Sequence, residues 1–324
     1  MKSQKKIQRT KIPPFEHELI LAHILNKSRE WVLTHPEVKL TRSQARSYRL
    51  YVARRQKGEP LAYILGHKGF YGLDFIVNKN VLVPRPETEL IIDYVTHNIK
   101  HETSDNIVII DIGTGSGCII ITLAKLLNRK SQIAPARTLQ AGGNRKFIAT
   151  DISKPALFVA RKNAKQHGVD KQIKFLHGNL LEPALSEIKK NKLEIGNWKL
   201  EILCNLPYLT PAQIKNSPSI KHEPRLALAA GRDGLKYYRE LFKQIKSLRV
   251  TRYALRVLCE IDPRQKQKIT ALAKKFFPRS RLQIKKDLRG HSRLLVINLS
   301  PDNNVDCRLV IKSVVPLDSI AVRR

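Results

Sequence analysis

A hydrophobic strand followed directly by three alternating glycines constrains this fold more than any other feature of the sequence. Residues 107–111 (IVIID) form a continuous apolar run, typical of a strand buried in a parallel sheet. After the glycine loop, the sequence pattern predicts a helix over 117–128. It predicts further strands at 147–150, 173–176, 200–204, 254–260 and 293–299. Strands that alternate with helices predict an α/β fold with a doubly wound, mostly parallel sheet.

The remaining sequence predicts smaller units around this sheet. Residues 1–68 indicate a small helical domain with a basic leader, and residues 69–83 (GFYGLDFIVNKNVLV) indicate a linking β-hairpin that turns at Asn78-Lys79-Asn80. The sheet domain is assigned to 84–300, with a basic insertion at 129–146. Residues 301–324 form a tail, whose apolar LVIKSVVPL segment is compatible with an edge strand or with disorder.

The glycine loop predicts a ligand site at the end of the first strand of the sheet. Glycines at alternate positions let a ligand approach the backbone without a Cβ in the way. A dinucleotide fingerprint would need glycine at Cys118, and no lysine follows as a phosphate loop requires. S-adenosylmethionine carries no phosphate and needs a carboxylate for its ribose, which Asp151 can supply at the end of the next strand. The predicted cofactor residues here are Gly113, Thr114, Gly115, Ser116, Gly117 and Asp151, together with Asn205 of the second loop described next. The structural alternative is a glycine turn with a helix-capping aspartate.

A second loop indicates the chemistry. Asn205-Leu206-Pro207-Tyr208 follows the strand at 200–204, where parallel sheets bind ligands. An amide nitrogen is a poor nucleophile, so a site that methylates it can hold its two hydrogens on two acceptors. The Asn205 side chain and the Leu206 backbone carbonyl can be those acceptors. Pro207 stiffens the loop, and Tyr208 offers a flat wall.

Over residues 15–299 the chain resembles the release-factor glutamine N5-methyltransferases of the PrmC/HemK type. The resemblance rests on EPLAYILG at 59–66, FYGL at 70–73, PRPETE at 84–89, the loop from Asp111 to Gly117, the Asn205–Tyr208 loop, and EPRLAL at 223–228. It implies a Rossmann-like class I S-adenosylmethionine-dependent methyltransferase domain, preceded by a helical domain that helps dock the substrate. The implied substrate is the glutamine of the Gly-Gly-Gln loop in class 1 peptide-chain release factors.

The chain departs from the family at two positions of the site. Leu206 stands where the family has proline; since the backbone carbonyl remains, we expect the chemistry to persist with a less rigid loop. Asn179, followed by Leu180, stands where the family often has an acidic residue that contacts adenine. An asparagine carbonyl can still accept from the adenine amine. Three further residues are substrate-cleft candidates: Arg85 and Glu87, as a catalytic or a structural pair, and Glu223, as a substrate-orienting or a structural group.

The charge leaves a second function class open. The chain has 60 Lys and Arg against 27 Asp and Glu, a formal net charge of +33. Such a surface attracts RNA, although basicity of this kind is often generic. The alternative function is therefore adenine-N6 or other amino methylation of RNA or DNA, and a third is a binding module without catalysis. Scattered cysteines and histidines predict no metal site and fit a reducing cytoplasm. The sequence predicts no membrane span, and a monomer is expected.

Overall fold

The computed structural model describes residues 12–100, 106–127, 145–190, 198–217, 220–248 and 255–299. The proposed insertion at 129–146 lies outside these ranges, except that Arg145 and Lys146 begin a strand. The tail at 301–324 lies outside them altogether. Within the described ranges, no helix combines the length and the apolarity needed to cross a bilayer.

The N-terminal part is helical, as predicted. Its helices span Pro14–Leu25, Arg29–Thr34, Arg42–Gln56 and Leu61–Leu65. Thr41 and Gln44 form a reciprocal capping box that fixes the start of the third helix. Ile20 and Val52 pack at the centre of this small bundle.

The linking hairpin exists, but its turn lies earlier than the sequence indicated. Strand β1 (His67–Phe70) pairs antiparallel with β2 (Leu73–Ile76), and the turn is at Tyr71 and Gly72, which both have positive φ. Two-residue hairpin turns favour such angles, and glycine adopts them without strain. The predicted turn at Asn78-Lys79-Asn80 is wrong: Asn78 closes a local turn there, and the chain then runs on to line the cleft described below.

A seven-stranded sheet forms the centre of the second part. Its strands are β3 (Ile107–Ile112), β4 (Arg145–Asp151), β5 (Ile173–His177), β6 (Lys199–Cys204), β7 (Leu255–Glu260), β8 (Arg281–Lys286) and β9 (Ser292–Leu299). The strand order is β5-β4-β3-β6-β7-β9-β8, in which β3 to β7 are parallel and β9 is antiparallel to both neighbours. The predicted doubly wound α/β sheet is confirmed.

Helices cover both faces of the sheet. They span Glu89–Lys100, Cys118–Leu127, Lys154–Gln166, Glu182–Lys190, Lys236–Ser247 and Lys266–Phe276. A short helix at Pro211–Lys215 follows the Asn205–Tyr208 loop and buries none of its residues. Alternate residues of β3 face opposite sides, so Ile109 packs towards the helix Glu89–Lys100 and Ile110 towards the helix Lys236–Ser247. Since both faces are covered, β3 is buried along its whole length.

The edge strand β8 was not predicted. Its sequence, RLQIKK, alternates apolar and polar residues and is only half-buried at the edge of the sheet. Because half of its residues are polar and it lies in a basic stretch, the sequence pattern does not indicate a strand there. Charged edge strands are nevertheless common, since the charges discourage pairing with another strand.

Candidate active site

A cleft opens at the carboxyl ends of β3, β4 and β6 and contains about 1080 Å³ of empty space, part of it open to solvent. The chain order reverses between β3 and β6, the position where open α/β sheets bind ligands. The predicted site residues that line the cleft are Arg85, Gly113, Thr114, Gly115, Ser116, Asp151, Asn179, Leu180, Asn205, Leu206 and Pro207. The fold thus brings most of both predicted loops to one cavity.

The glycine loop is tied to the end of β4. The amides of Gly113 and Thr114 both donate to the carbonyl of Thr150, at 2.9 and 3.0 Å. Gly117 supports the loop without lining the cleft, because a Cβ there would lie 2.6 Å from Cδ1 of Ile121 in the following helix. Its φ of 82° also favours glycine.

Two buried carboxyls lie beside this loop. Asp151 accepts from the amide of Gly115 at 2.9 Å on Oδ2 and from the amide of Ser153 at 2.8 Å on Oδ1, so each oxygen keeps a lone pair. Burial raises the pKa of Asp151 and raises the pKa of Asp111 to about 7. Asp111 accepts from Thr114 on Oδ2, whereas its buried Oδ1 has no partner among the described residues.

These features fit S-adenosylmethionine. The cofactor carries an ammonium and a sulfonium, and both positive charges compensate buried carboxylates. Its ribose diol needs acceptors such as the free lone pairs of Asp151. Asp151 also caps the next turn through Ser153, so the capping role and the ligand role are compatible.

The predicted adenine contact is oriented by the helix Lys236–Ser247. Asn179 donates from Nδ2 to Oε1 of Glu240 at 2.5 Å, which leaves its side-chain carbonyl as an acceptor. Gln244 of the same helix accepts from the amide of Leu181 at 2.8 Å. The loop that carries Leu180, which has a positive φ, is therefore held by side chains from this helix.

The Asn205–Tyr208 loop follows β6 on the other side of the switch point. Asn205 donates from Nδ2 to the hydroxyl of Thr88 at 3.1 Å, and Thr88 donates to Oε2 of Glu260 at 2.6 Å. Leu206 is 3% exposed and belongs to the hydrophobic core, with its Cδ2 against Gly113. Its side chain is thus a packing element between the two loops.

Tyr208 lies behind the cleft lining and is fixed through its backbone. Its carbonyl accepts from Nε2 of Gln265 at 2.8 Å. Gly234 makes this approach feasible, because a Cβ there would lie 2.0 Å from the same nitrogen. Burial raises the pKa of the Tyr208 phenol well above its ordinary value, so the hydroxyl stays protonated at neutral pH.

The three remaining candidates are arranged differently from the predicted pairing. Arg85 does not pair with Glu87: its Nη2 donates to Oε1 of Glu223 at 2.5 Å. Glu223 also accepts from the amide of Val83 at 3.3 Å, and its side chain is 2% exposed. Glu87 lies 3.8 Å from Arg293. Glu223 therefore has the structural pairing with an arginine that was one of its two predicted roles, and it anchors the segment that lines the cleft.

Sequence reasoning missed several residues that hold the site. Thr88 lies inside the PRPETE block, but its hydroxyl carried no signal of its own. Glu260 ends a predicted strand, and an acid at the carboxyl end of a parallel strand was a usable signal. Gln265 and Glu240 gave none, because only the packing of their helices brings them to the site.

Family profiles match both parts of the chain. The profile of the PrmC N-terminal domain matches residues 4–66, and that of a methyltransferase domain matches residues 103–273. Among solved structures, the hMettl16 catalytic domain in complex with the MAT2A 3'UTR hairpin 6 has a TM-score of 0.48 and 17% identity, over 82% of this chain and 85% of that chain. A likeness of this size does not bear on the activity.

Curated relatives match along most of their length. The release factor glutamine methyltransferase of Coxiella burnetii is 36% identical over 89% of this chain and 92% of that protein. The protein of the same name from Bacillus subtilis is 31% identical, over 86% of this chain and 88% of that protein. A bifunctional methyltransferase of Rickettsia bellii is 31% identical over 93% of this chain but only 54% of that protein. Because it shares more than 30% identity with relatives that it covers almost fully, the chain belongs to the release factor glutamine methyltransferase family.

Proposed function

We propose that this protein transfers a methyl group from S-adenosylmethionine to the side-chain nitrogen of the glutamine in the Gly-Gly-Gln loop of class 1 peptide-chain release factors. The observation that carries the proposal is the hydrogen bonding of the Asn205 side chain, in a chain that belongs to this family. Its NH2 group donates one hydrogen bond to Thr88, and its Oδ1 makes no hydrogen bond within the described residues. The side chain therefore offers a free acceptor in the cleft.

Amide methylation needs two acceptors near the transferred methyl. When bound, the cofactor would supply a methyl group activated by its sulfonium; the transfer breaks the sulfur–methyl bond, leaves S-adenosylhomocysteine, and frees one amide proton, which can pass to solvent through the open cleft. The Asn205 Oδ1 and the Leu206 carbonyl accept the two amide hydrogens, which orients the nitrogen lone pair towards that methyl. Asp151 and the glycine loop hold the cofactor, with Asn179 at its adenine. Pro207 forms part of the wall on which the glutamine side chain lies, and the neutral Tyr208 supports that wall from behind.

We also propose the cellular setting of the reaction. The basic surface favours non-specific contact with RNA or the ribosome, where release factors work. Buried free thiols at Cys118, Cys204 and Cys259 fit a reducing cytoplasm. We expect a monomer, because the substrate itself is a protein that must reach an open cleft.

Methyl transfer to purified release factor tests the proposal. Labelled S-adenosylmethionine is incubated with the protein and either a release factor, the same factor with the glutamine of its Gly-Gly-Gln loop replaced by glutamate, or total RNA. We expect label only on the unaltered release factor, on glutamine by mass spectrometry. Label on RNA alone would support the nucleic-acid alternative, and label on neither would indicate a binding module.

A further inference from the structure

A row of three hydrogen-bonded side chains runs from the cleft into the core: Asn205 and Thr88 line the cleft, and Thr88 and Glu260 are buried. Asn205 follows β6, Thr88 ends the 3-10 turn Pro86–Thr88, and Glu260 ends β7. Asn205 donates to Thr88 at 3.1 Å, and Thr88 donates to Glu260 at 2.6 Å. Thr88 is 2% exposed and Glu260 3%, so solvent does not compete for these contacts.

The direction of this row follows from the number of protons available. An ionised carboxylate only accepts hydrogen bonds, and a hydroxyl has one proton to donate. When Glu260 is ionised, the Thr88 hydroxyl must donate its one proton to Glu260, and it can then only accept a hydrogen bond from Asn205. The amide of Asn205 is then held with its NH2 towards Thr88, and its carbonyl faces the cleft.

We propose that Thr88 is a positioning residue for methyl transfer, and that the charge of Glu260, relayed through the Thr88 hydroxyl, sets which end of the Asn205 amide faces the substrate. This inference rests on the proposed function, because only a substrate with amide hydrogens needs the carbonyl end. A flipped Asn205 would present its own NH2 to the substrate NH2, and donors would face donors.

Protonation of Glu260 reverses the row. A protonated Glu260 can donate to the Thr88 oxygen, which releases the Thr88 proton towards Asn205 and favours the flipped amide. Burial raises the pKa of Glu260 to about 7, and the Thr88 hydrogen bond opposes that shift. The other titratable or charged groups that face Glu260 are Arg85, Glu87, Arg293, Cys118, Cys204, Tyr208 and Tyr238. Turnover at saturating cofactor should therefore rise with pH through about 7.

The experiment compares threonine variants in the release-factor assay. Thr88→Val keeps the shape and removes the hydroxyl, and Thr88→Ser restores the hydroxyl. Thr122→Val is the matched control, because Thr122 is also a buried threonine but its hydroxyl has no hydrogen-bond partner among the described residues. The measurements are kcat and KM for release factor, the Kd of S-adenosylhomocysteine, and kcat from about pH 6 to 8.

We expect Thr88→Val to lower kcat on the order of 10-fold while the Kd of S-adenosylhomocysteine stays within about threefold. The rise of kcat through pH 7 should disappear in this variant and remain in Thr88→Ser and Thr122→Val. A Thr88→Val enzyme with wild-type kcat and an unchanged pH profile would overturn the inference. A merely structural role would lower kcat and cofactor affinity together and leave the shape of the pH profile intact, which also contradicts it.

Glu260→Gln gives a second route if Thr88→Val does not fold. Glutamine keeps the volume and removes the ionisation, so kcat should lose its dependence on pH near 7 and stay below the wild-type plateau. A retained rise through pH 7 in this variant would overturn the role of Glu260. Failure of the proposed function is distinguishable, since the wild-type enzyme would then transfer no methyl to release factor.

Discussion

The two loops of the cleft are built in different ways. On the glycine-loop side (Gly113–Gly117 with Asp151), backbone amides meet groups on the next strand along the chain, and Gly115 and Asp151 are 36 residues apart. On the asparagine side (Asn205, Thr88 and Glu260), side chain meets side chain across separations of 117 and 172 residues. The first loop is a local motif, whereas the second depends on the assembly of three distant segments.

Because the two loops are built differently, we expect them to respond differently to mutation. A site made of backbone amides tolerates side-chain substitutions around it. On the glycine-loop side, the group most sensitive to mutation is the Asp151 carboxylate, because it binds both the loop and the ligand. A site made of side chains loses function when any member is removed. Both sides nevertheless bury a carboxyl with a pKa raised to about 7, Asp111 on the first and Glu260 on the second.

The largest effect should come from Asn205→Ala. Removal of one preorganised polar partner of the reacting group typically lowers kcat by about 10²–10³-fold. Cofactor affinity should stay within a few fold, because Asn205 addresses the substrate amide. Single-turnover transfer to release factor and calorimetry with S-adenosylhomocysteine measure the two quantities. An equal loss of both would show that the two sides of the cleft are not separable.

The next effect is on stability and concerns Asp111. Because burial raises its folded pKa above the unfolded value of 3.8, the native state binds the proton more tightly, and this contribution to stability is lost as pH rises towards about 7. Asp111→Asn removes this loss. The free energy of unfolding of Asp111→Asn minus that of wild type should therefore increase by on the order of 3 kcal/mol from pH 4 to pH 8.

Denaturant unfolding of the cofactor-free protein at several pH values measures that difference. Glu260→Gln is the matched variant on the asparagine side and should show the same sign over the same window. A difference between Asp111→Asn and wild type that does not change with pH would contradict the raised pKa.

Asp151→Ala should reverse the pattern of Asn205→Ala. We expect cofactor binding to weaken by roughly 1.5–3 kcal/mol, as for hydrogen bonds to a charged group, with far less change in turnover at saturating cofactor. Asp151→Asn is the control, since it keeps one carbonyl acceptor and should lose less. Unchanged cofactor affinity in Asp151→Ala would reduce the residue to its role as the cap for Ser153.

The smallest effect is expected for Leu206→Pro, at the junction of the two sides. The backbone carbonyl remains, so kcat should stay within about threefold. The buried side chain is partly lost and the loop is stiffened, so the net loss of stability should be about 1 kcal/mol. Leu206→Ala, which removes the packing without stiffening, should lose about 2–5 kcal/mol. A tenfold fall in kcat for Leu206→Pro would show that the leucine itself orients the substrate.

The parts of the molecule that could be predicted from the amino-acid sequence are those in which local pattern and local chemistry agree. The apolar run of β3, the alternating glycines and Asp151 are all readable because consecutive parallel strands end at the same edge of the sheet. Ser153, a residue type that favours helix starts, caps the helix Lys154–Gln166 by accepting from the amide of Ala156. The hairpin was predicted, but its turn was not, because Gly72 and the asparagines at 78 and 80 are both good turn signals.

The remaining contacts of the site arise only when distant parts of the chain pack together. The row from Glu260 through Thr88 to Asn205, the grip of Gln265 on Tyr208 and the pairing of Arg85 with Glu223 rather than Glu87 join residues far apart in the chain. No periodicity records such contacts, since a buried polar side chain finds its partner through the packing of whole strands and helices. Burial then favours these pairings, because a buried polar group without a hydrogen bond costs free energy once water is excluded.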